Sequence, residues 1–378
     1  MRSSPLSCPS HLSSHGRHCD TGHRRFEIVA SVSENDVFTI ANLIHGGPGR
    51  ESPSPTIERY FMSETADVGS HRPLLESLQG RVAVVTGGAS GIGRGICEAL
   101  LDQGATVMVA DVEKGALDTA VAELGRGGDI TGYVVDVSDR DSVEAMAEHV
   151  FETHGACHLL VNNAGVSADS GGLEPWEIDT NDWLWTFGVN VFGVANGVNA
   201  FVPRMLRGGE PGWIVNTTSA DGGLAPAPGV SVYSASKAAM SIYTESLAVR
   251  LAETGANIGA SLFIPSGGMM RTGMFDAERN RPAALTRSST SPAPKARTIN
   301  SFDDLQNLLE SKGMPVQEWD LRELGHFVLG EMKCGRYVIG CDRADMADLL
   351  HDRANSVAEG MFGPTLAKGL AARRAGVR

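Results

Sequence analysis

Tyr233 and Lys237 stand four positions apart in "SVYSASKAAMSIYTESLAV" (residues 231–249), among serines and alanines that leave both long polar side chains uncrowded. On a helix, residues i and i+4 project from one face. An ammonium held beside a phenol favours the phenolate and lowers a pKa that starts at about 10. A phenol tuned in this way exchanges a proton with an alcohol or carbonyl oxygen near neutral pH. The same spacing also occurs on an ordinary helix with a half-buried tyrosine and a solvated lysine. What the pair means depends on the elements that position it.

The nearest such context is "TGGASGIG" (residues 86–93), which follows an apolar run and opens a helical stretch. Glycines there permit a tight turn and let the backbone approach a pyrophosphate resting on the helix N-terminus. Gly87, Ser90, Gly91, Ile92 and Gly93 are the candidate contacts. A glycine motif alone is weak, but a strand before it, a helix after it and an acid downstream strengthen it. That acid is Asp111, closing "VMVADV". A carboxylate there accepts hydrogen bonds from ribose hydroxyls and repels a 2′-phosphate, and "GGASGIG" contains no Arg or Lys to hold one, so NAD is favoured over NADP.

Around these motifs, apolar β-branched runs alternate with helical patterns. "RVAVVTGG", "TVMVADV", "TGYVVDVSD", "CHLLVNNAGV", "GWIVNTTSA" and "NIGASLFIPSG" read as strands, with a seventh at about 335–340 in "GRYVIG". Such alternation predicts an α/β doubly wound parallel sheet of about seven strands, a Rossmann fold with helices on both faces. Ligands in these sheets lie beyond the C-terminal ends of the strands.

The ordered set of TGxxxGxG, "NNAG" (residues 162–165) and Tyr-x-x-x-Lys resembles the short-chain dehydrogenase/reductase family in its compact single-domain form. The resemblance is close over 78–275 and extends to about 350. It implies that Tyr233 is the catalytic acid/base and that Lys237 also binds the nicotinamide ribose. It implies that Ser219, in "IVNTTSADGG", orients the substrate oxygen in an oxyanion-hole type role. Thr217 and Thr218 compete for that role, and the position three after Asn216 favours Ser219. Asn190 matches the family asparagine that holds a water linking the lysine to solvent. Asp136, Val137, Asn163, Ala164 and Gly165 match adenine and ribose contacts. Family members carry Pro-Gly after the sixth strand, whereas this chain has "IPSGGMMRTGM", with Ser266 after Pro265; Met270 and Thr272 are the candidate carboxamide neighbours.

The resemblance further implies a substrate lid at about 273–320, a polar stretch that is Ser/Pro-rich in its middle. Met269, Met270, Met274 and Phe275 suit an adaptable apolar wall. Trp183, Trp185 and "FVPRM" (201–205) resemble members acting on bulky hydrophobic or aryl alcohols, lignin-derived ones included. The expected activity is hydride transfer between a secondary alcohol or ketone and nicotinamide. Competing readings are a 3-oxoacyl-type reductase and a dinucleotide-binding sensor or scaffold without turnover. A homodimer or homotetramer is expected through the helices bearing Asn190 and Tyr233, with the small-residue face of "SASKAAMS" permitting close packing.

Composition bounds these readings. The chain has 378 residues, 42% hydrophobic and 20% charged, and a net charge of −13, which argues against a nucleic-acid partner. It contains no apolar run long enough to span a membrane. Its cysteines show no CxxC pair and no secretory signal precedes them, so reduced thiols and a cytoplasmic location are expected. Residues 1–75 are rich in Ser, Pro, Gly, His and Arg, and disorder is expected there. Cys8, His11, His15, His18 and Cys19 are metal-ligand types, but their spacing matches no finger, and no metal site is expected. An acid-free start allows a transit peptide, and Met62 is an alternative translation start. The Rossmann-fold domain is expected over 78–350, followed by a tail at 351–378.

Overall fold

β1 (Val82–Thr86) alternates its side chains between two cores, which is why it is apolar throughout. Ala83 and Val85 enter one buried cluster, Val82 and Val84 the other. In this computed structural model six more strands follow: β2 (Thr106–Asp111), β3 (Ile130–Val134), β4 (Leu159–Asn162), β5 (Gly212–Thr217), β6 (Ile258–Ile264) and β7 (Val338–Gly340). All six pairings are parallel and the order is β3-β2-β1-β4-β5-β6-β7. The structure describes residues 75–125, 128–168, 173–266, 268–292, 301–311, 318–364 and 367. The N-terminal segment with its Cys/His tract and Met62 lies outside these, as do 293–300 and 312–317 of the lid stretch and most of 365–378.

The helices are α1 (Gly91–Asp102), α2 (Lys114–Leu124), α3 (Arg140–His154), α4 (Thr180–Phe187), α5 (Gly193–Gly208), α6 (Ser231–Glu253), α7 (Phe302–Ser311), α8 (Leu321–Lys333) and α9 (Arg343–Glu359). On one face of the sheet, Ile96 and Leu100 of α1, Leu117 of α2 and Val328 of α8 pack on Val85, Val107 and Phe263. On the other, Val143 and Met146 of α3, Phe201 of α5 and Met240 of α6 pack on Val84, Met108 and Ile214. Helices on both faces leave the strand ends as the open edge where a ligand can approach.

Two sequence expectations change. The third strand ends at Val134, which is half exposed because β3 lies at the sheet edge; Val135, Asp136 and Val137 continue past it towards the site. The lid stretch carries structure: 3₁₀ turns at Gly273–Asn280 and Ala283–Leu285, then α7. In addition, α9 crosses position 350, where a tail was expected to begin.

Candidate active site

Strand order reverses between β1 and β4, and a cleft of about 470 Å³ opens at their C-terminal ends. Gly87, Ser90, Gly91 and Ile92 line it, and so do Ser219, Tyr233 and Lys237. Gly87 has φ +62°, and a Cβ on it would stand 2.8 Å from Ala164 Cα, so both its conformation and the close approach of β4 demand glycine. Asn163 ties the two strand ends together: its amide reaches the carbonyls of Thr86 (3.2 Å) and Gly87 (3.3 Å). The Thr86 hydroxyl accepts the backbone N–H groups of Asn163 and Ala164.

Whether these residues suit a dinucleotide is tested by the helix that follows. α3, α4, α8 and α9 each receive a side-chain cap from an aspartate, namely Asp139, Asp179, Asp320 and Asp342. α1, like α2, α5 and α6, receives none: Ser90 occupies its N-cap position without a side-chain hydrogen bond, its first turn has no acid, and Ser90, Gly91 and Ile92 face the cleft. The leading N–H groups of α1 therefore suit a pyrophosphate. Gly93 does not line the cleft; it is buried behind the turn, where a Cβ would overlap the Gly87 carbonyl. Asp111 ends β2 at the cleft, accepting from Ala89 N (3.1 Å) and Glu113 N (3.1 Å). Burial pushes its carboxyl above the usual range, against the pull of those two amides. Asp136 and Val137 line the cleft, with Asp136 accepting from Ser138 N (2.9 Å), as do Ala164, Gly165, Met270 and Thr272. Thr272 lies over the glycine turn, its Cγ2 3.2 Å from where a Cβ on Gly91 would stand.

Lys237 is buried, with Nζ donating to Thr217 O at 3.0 Å and lying 5.6 Å from the centroid of the Tyr233 ring. Burial pulls its ammonium down to about 8. Ser219 precedes the short helical turn Ala220–Gly223 and accepts from Asp221 N. Of its two competitors, Thr218 is buried and committed to Lys237 O (2.9 Å) and Ser241. Thr217, although it lines the cleft, has a hydroxyl without a hydrogen bond.

Asn190 stands behind the cleft wall, buried in a π-helical turn (Gly188–Phe192) between α4 and α5. Its side chain accepts from Val166 N (2.8 Å) and donates to Val166 O (2.9 Å) and Ser236 Oγ (2.9 Å). Its Oδ1 and Lys237 Nζ both come within 3.4 Å of where a Cβ on Gly165 would stand. The side chain thus braces the segment after β4 that passes Lys237.

Ser266, in the place of the family glycine, accepts from Cys341 N at 3.1 Å and fastens the loop after β6 to the turn after β7. Met269, Met270, Met274, Phe275 and Trp185 line the same cleft. Trp183 instead packs beside Phe187 and is partly exposed, and Phe201 and Met205 are buried under the sheet, so none of the three lines the cleft. Ser234, Ser236 and Ser241 of α6 face inward, whereas Ala235, Ala238 and Ala239 of the same stretch are partly exposed. Sequence reasoning missed the residues that hold the lid stretch. Asp182 of α4 is fully buried and ion-paired to Arg281 (2.7 Å) and Arg287 (2.8 Å). Glu113 binds Arg279 and Asn280. These pairs join positions far apart in the chain and leave no local pattern.

A parallel sheet with an uncapped glycine-turn helix at its switch point, facing a Tyr–Lys pair, defines a nucleotide-dependent α/β oxidoreductase. The chain belongs to the short-chain dehydrogenase family, whose model, described as "short chain dehydrogenase", matches residues 81–283. It is 40% identical to the C alpha-dehydrogenase of Sphingobium sp. over 55% of this chain and 67% of that protein. It is 38% identical to 3beta-hydroxysteroid dehydrogenase 2 of Eggerthella lenta over 58% of this chain and 85% of that protein. A short chain dehydrogenase/reductase from Burkholderia phymatum, solved in complex with NAD, superposes with a TM-score of 0.67 at 36% identity, covering 76% of this chain and 97% of that one. The protein is an enzyme, an oxidoreductase acting on CH–OH groups. No helix among the described residues is long and apolar enough to cross a membrane.

Proposed function

We propose that the enzyme is NAD-dependent and interconverts a secondary alcohol and its ketone, the substrate bearing a bulky apolar or aryl group. The observation that carries this reading is the meeting of Ser219, Tyr233 and Lys237 in one cleft, between the glycine turn and a wall of Met269, Met274, Phe275 and Trp185. NAD supplies the hydride acceptor, at its nicotinamide C4. The Tyr233 oxygen takes the hydroxyl proton of the alcohol, and returns it to the ketone oxygen in the reverse direction. Lys237, fixed by Thr217 O and lying beside the tyrosine ring, supplies positive charge that favours the phenolate. Ser219 donates a hydrogen bond to the substrate oxygen as its charge develops. Gly87, Ser90, Gly91 and Ile92 cradle the pyrophosphate. Asp111 accepts from the ribose, Asp136, Val137, Asn163, Ala164 and Gly165 flank the adenosine and nicotinamide ribose, and Met270 and Thr272 flank the carboxamide. The methionine and aromatic wall excludes water from the reacting atoms.

Two observations support NAD: Asp111 at the ribose end, and Arg94 ion-paired to Glu98 and Glu123 instead of lining the cleft. The names of the Sphingobium and Eggerthella relatives support a secondary-alcohol substrate. The test is to mix the enzyme with NAD and a panel of aryl and steroid-like secondary alcohols and follow the absorbance of reduced nicotinamide. Tyr233→Phe is expected to lower kcat at least about 100-fold, the usual contribution of a positioned acid/base, with cofactor binding retained. Undiminished turnover in that variant would remove Tyr233 from the mechanism.

A further inference from the structure

Glu113 lies two positions beyond Asp111, at the start of α2 on the ribose side of the cleft. Its carboxylate is gripped from the opposite wall. Arg279 places Nη2 2.6 Å from Oε1 and Nε 3.1 Å from Oε2, and Asn280 Nδ2 donates to Oε1 at 2.9 Å. Arg279 is itself fixed to its own loop through Nη1, which donates to Gly273 O (3.0 Å) and Asp276 O (2.6 Å). Asp111, Glu113, Arg279 and Asn280 all line the same cleft. A planar guanidinium beside a ribose site is, by its donor geometry, a phosphate receptor. Here its two parallel N–H groups are taken by Glu113, and its charge is neutralised.

We infer that Glu113 is a cofactor-discriminating positioning residue: by occupying Arg279 it withholds that guanidinium from a 2′-phosphate and keeps the ribose end selective for the unphosphorylated dinucleotide. This rests on the NAD reading above. A 2′-phosphate entering the site has to displace Glu113 from Arg279 and lie beside two carboxylates. Substituting Gln for Glu113 keeps a hydrogen-bonding side chain of the same shape but frees the guanidinium's charge.

The experiment measures NAD and NADP dissociation constants by calorimetry on the full chain, for the wild type, Glu113→Gln, Arg279→Met and the double variant, with thermal melts as a folding control. The wild type is expected to bind NAD more tightly than NADP. Glu113→Gln is expected to bind NADP at least about tenfold more tightly than the wild type does, with NAD affinity changed less than about twofold, and Arg279→Met added to it is expected to abolish the gain. A purely structural role for Glu113 predicts instead that both affinities fall together in Glu113→Gln, and that result overturns the inference. A gain that survives in the double variant overturns it as well, because the gain then owes nothing to Arg279. A wild-type preference for NADP overturns the NAD reading itself, and it shows in a different arm of the experiment.

Discussion

Between Thr217 O, the Tyr233 ring and the backbone at Gly165, the Lys237 ammonium has little water to solvate it, and its pKa falls from 10.5 to about 8. Below pH about 8 both folded and unfolded chains hold the proton, so the folded state bears the full cost of the buried charge, roughly 3 kcal/mol. Between pH about 8 and about 10.5 the unfolded chain binds more protons at this site than the folded one, so this contribution to stability rises with pH. Lys237→Met lacks the term. The stability of that variant relative to the wild type is therefore expected to be greatest near pH 7 and to shrink by about 3 kcal/mol by pH about 10.5. Urea unfolding of the cofactor-free proteins across that range measures it, and a pH-independent difference would show that the ammonium is not buried as described. The Tyr–Lys pair was legible in sequence because the i, i+4 relation is local. The place of Asn190 was legible too, but not its partners, since Val166 and Ser236 reach it from other elements.

The strands were legible as short apolar runs, because strands such as β1, β4 and β5 bury both faces, and the helices as the stretches between them. The lid was not. Its stretch is polar because its arginines are spent inward: Arg281 lies over the Trp185 ring and pairs with Asp182, and Arg287 binds Asp182 and donates to Ala168 O. Asp179, the cap of α4, also accepts from Ser288 N (2.9 Å) and from the Ser291 hydroxyl. α4 thus anchors residues 281–291, the continuation of the segment whose Met274, Phe275, Ala277 and Pro282 line the cleft. Removing one partner of a buried ion pair typically costs about 3–5 kcal/mol, because the remaining charges are left uncompensated. Asp182→Ala is expected to lose stability on that scale. In the fraction that stays folded, KM for the alcohol is expected to rise more than the NAD dissociation constant, since the anchored residues continue the segment that carries Met274 and Phe275 of the proposed substrate wall. Denaturant melts with steady-state kinetics and cofactor titration check this, and equal weakening of both ligands would count against a local anchor.

At the scale of the whole molecule, α6 is apolar on more faces than one protomer can use. Met240, Thr244 and Leu251 point into the protein, while Ile242 and Val249 are 64% and 56% exposed. On α4 and the π-helical turn, which both pack against α6, Leu184 and Phe192 are 54% and 58% exposed. A helix apolar on both sides is normally covered on both, and exposed apolar side chains on neighbouring elements suit a protein–protein surface. Ile242 and Val249, seven positions apart, share one face of the helix, and a two-fold arrangement lets each copy present the same face to the other. The sequence pointed to these helices through the small residues of "SASKAAMS"; the fold buries the serines of that stretch, leaves its alanines partly exposed, and adds Ile242 and Val249 as larger exposed side chains. The wild type is therefore expected to sediment as a dimer or tetramer at micromolar concentration. The double substitution Ile242→Glu with Val249→Glu is expected to shift it towards monomer, because association would bury four unpaired carboxylates across a two-fold interface. Far-UV circular dichroism should be unchanged, since neither side chain packs in the protomer core. A wild type that is monomeric, or a double variant that keeps its oligomeric mass, would place the partner surface elsewhere on the molecule.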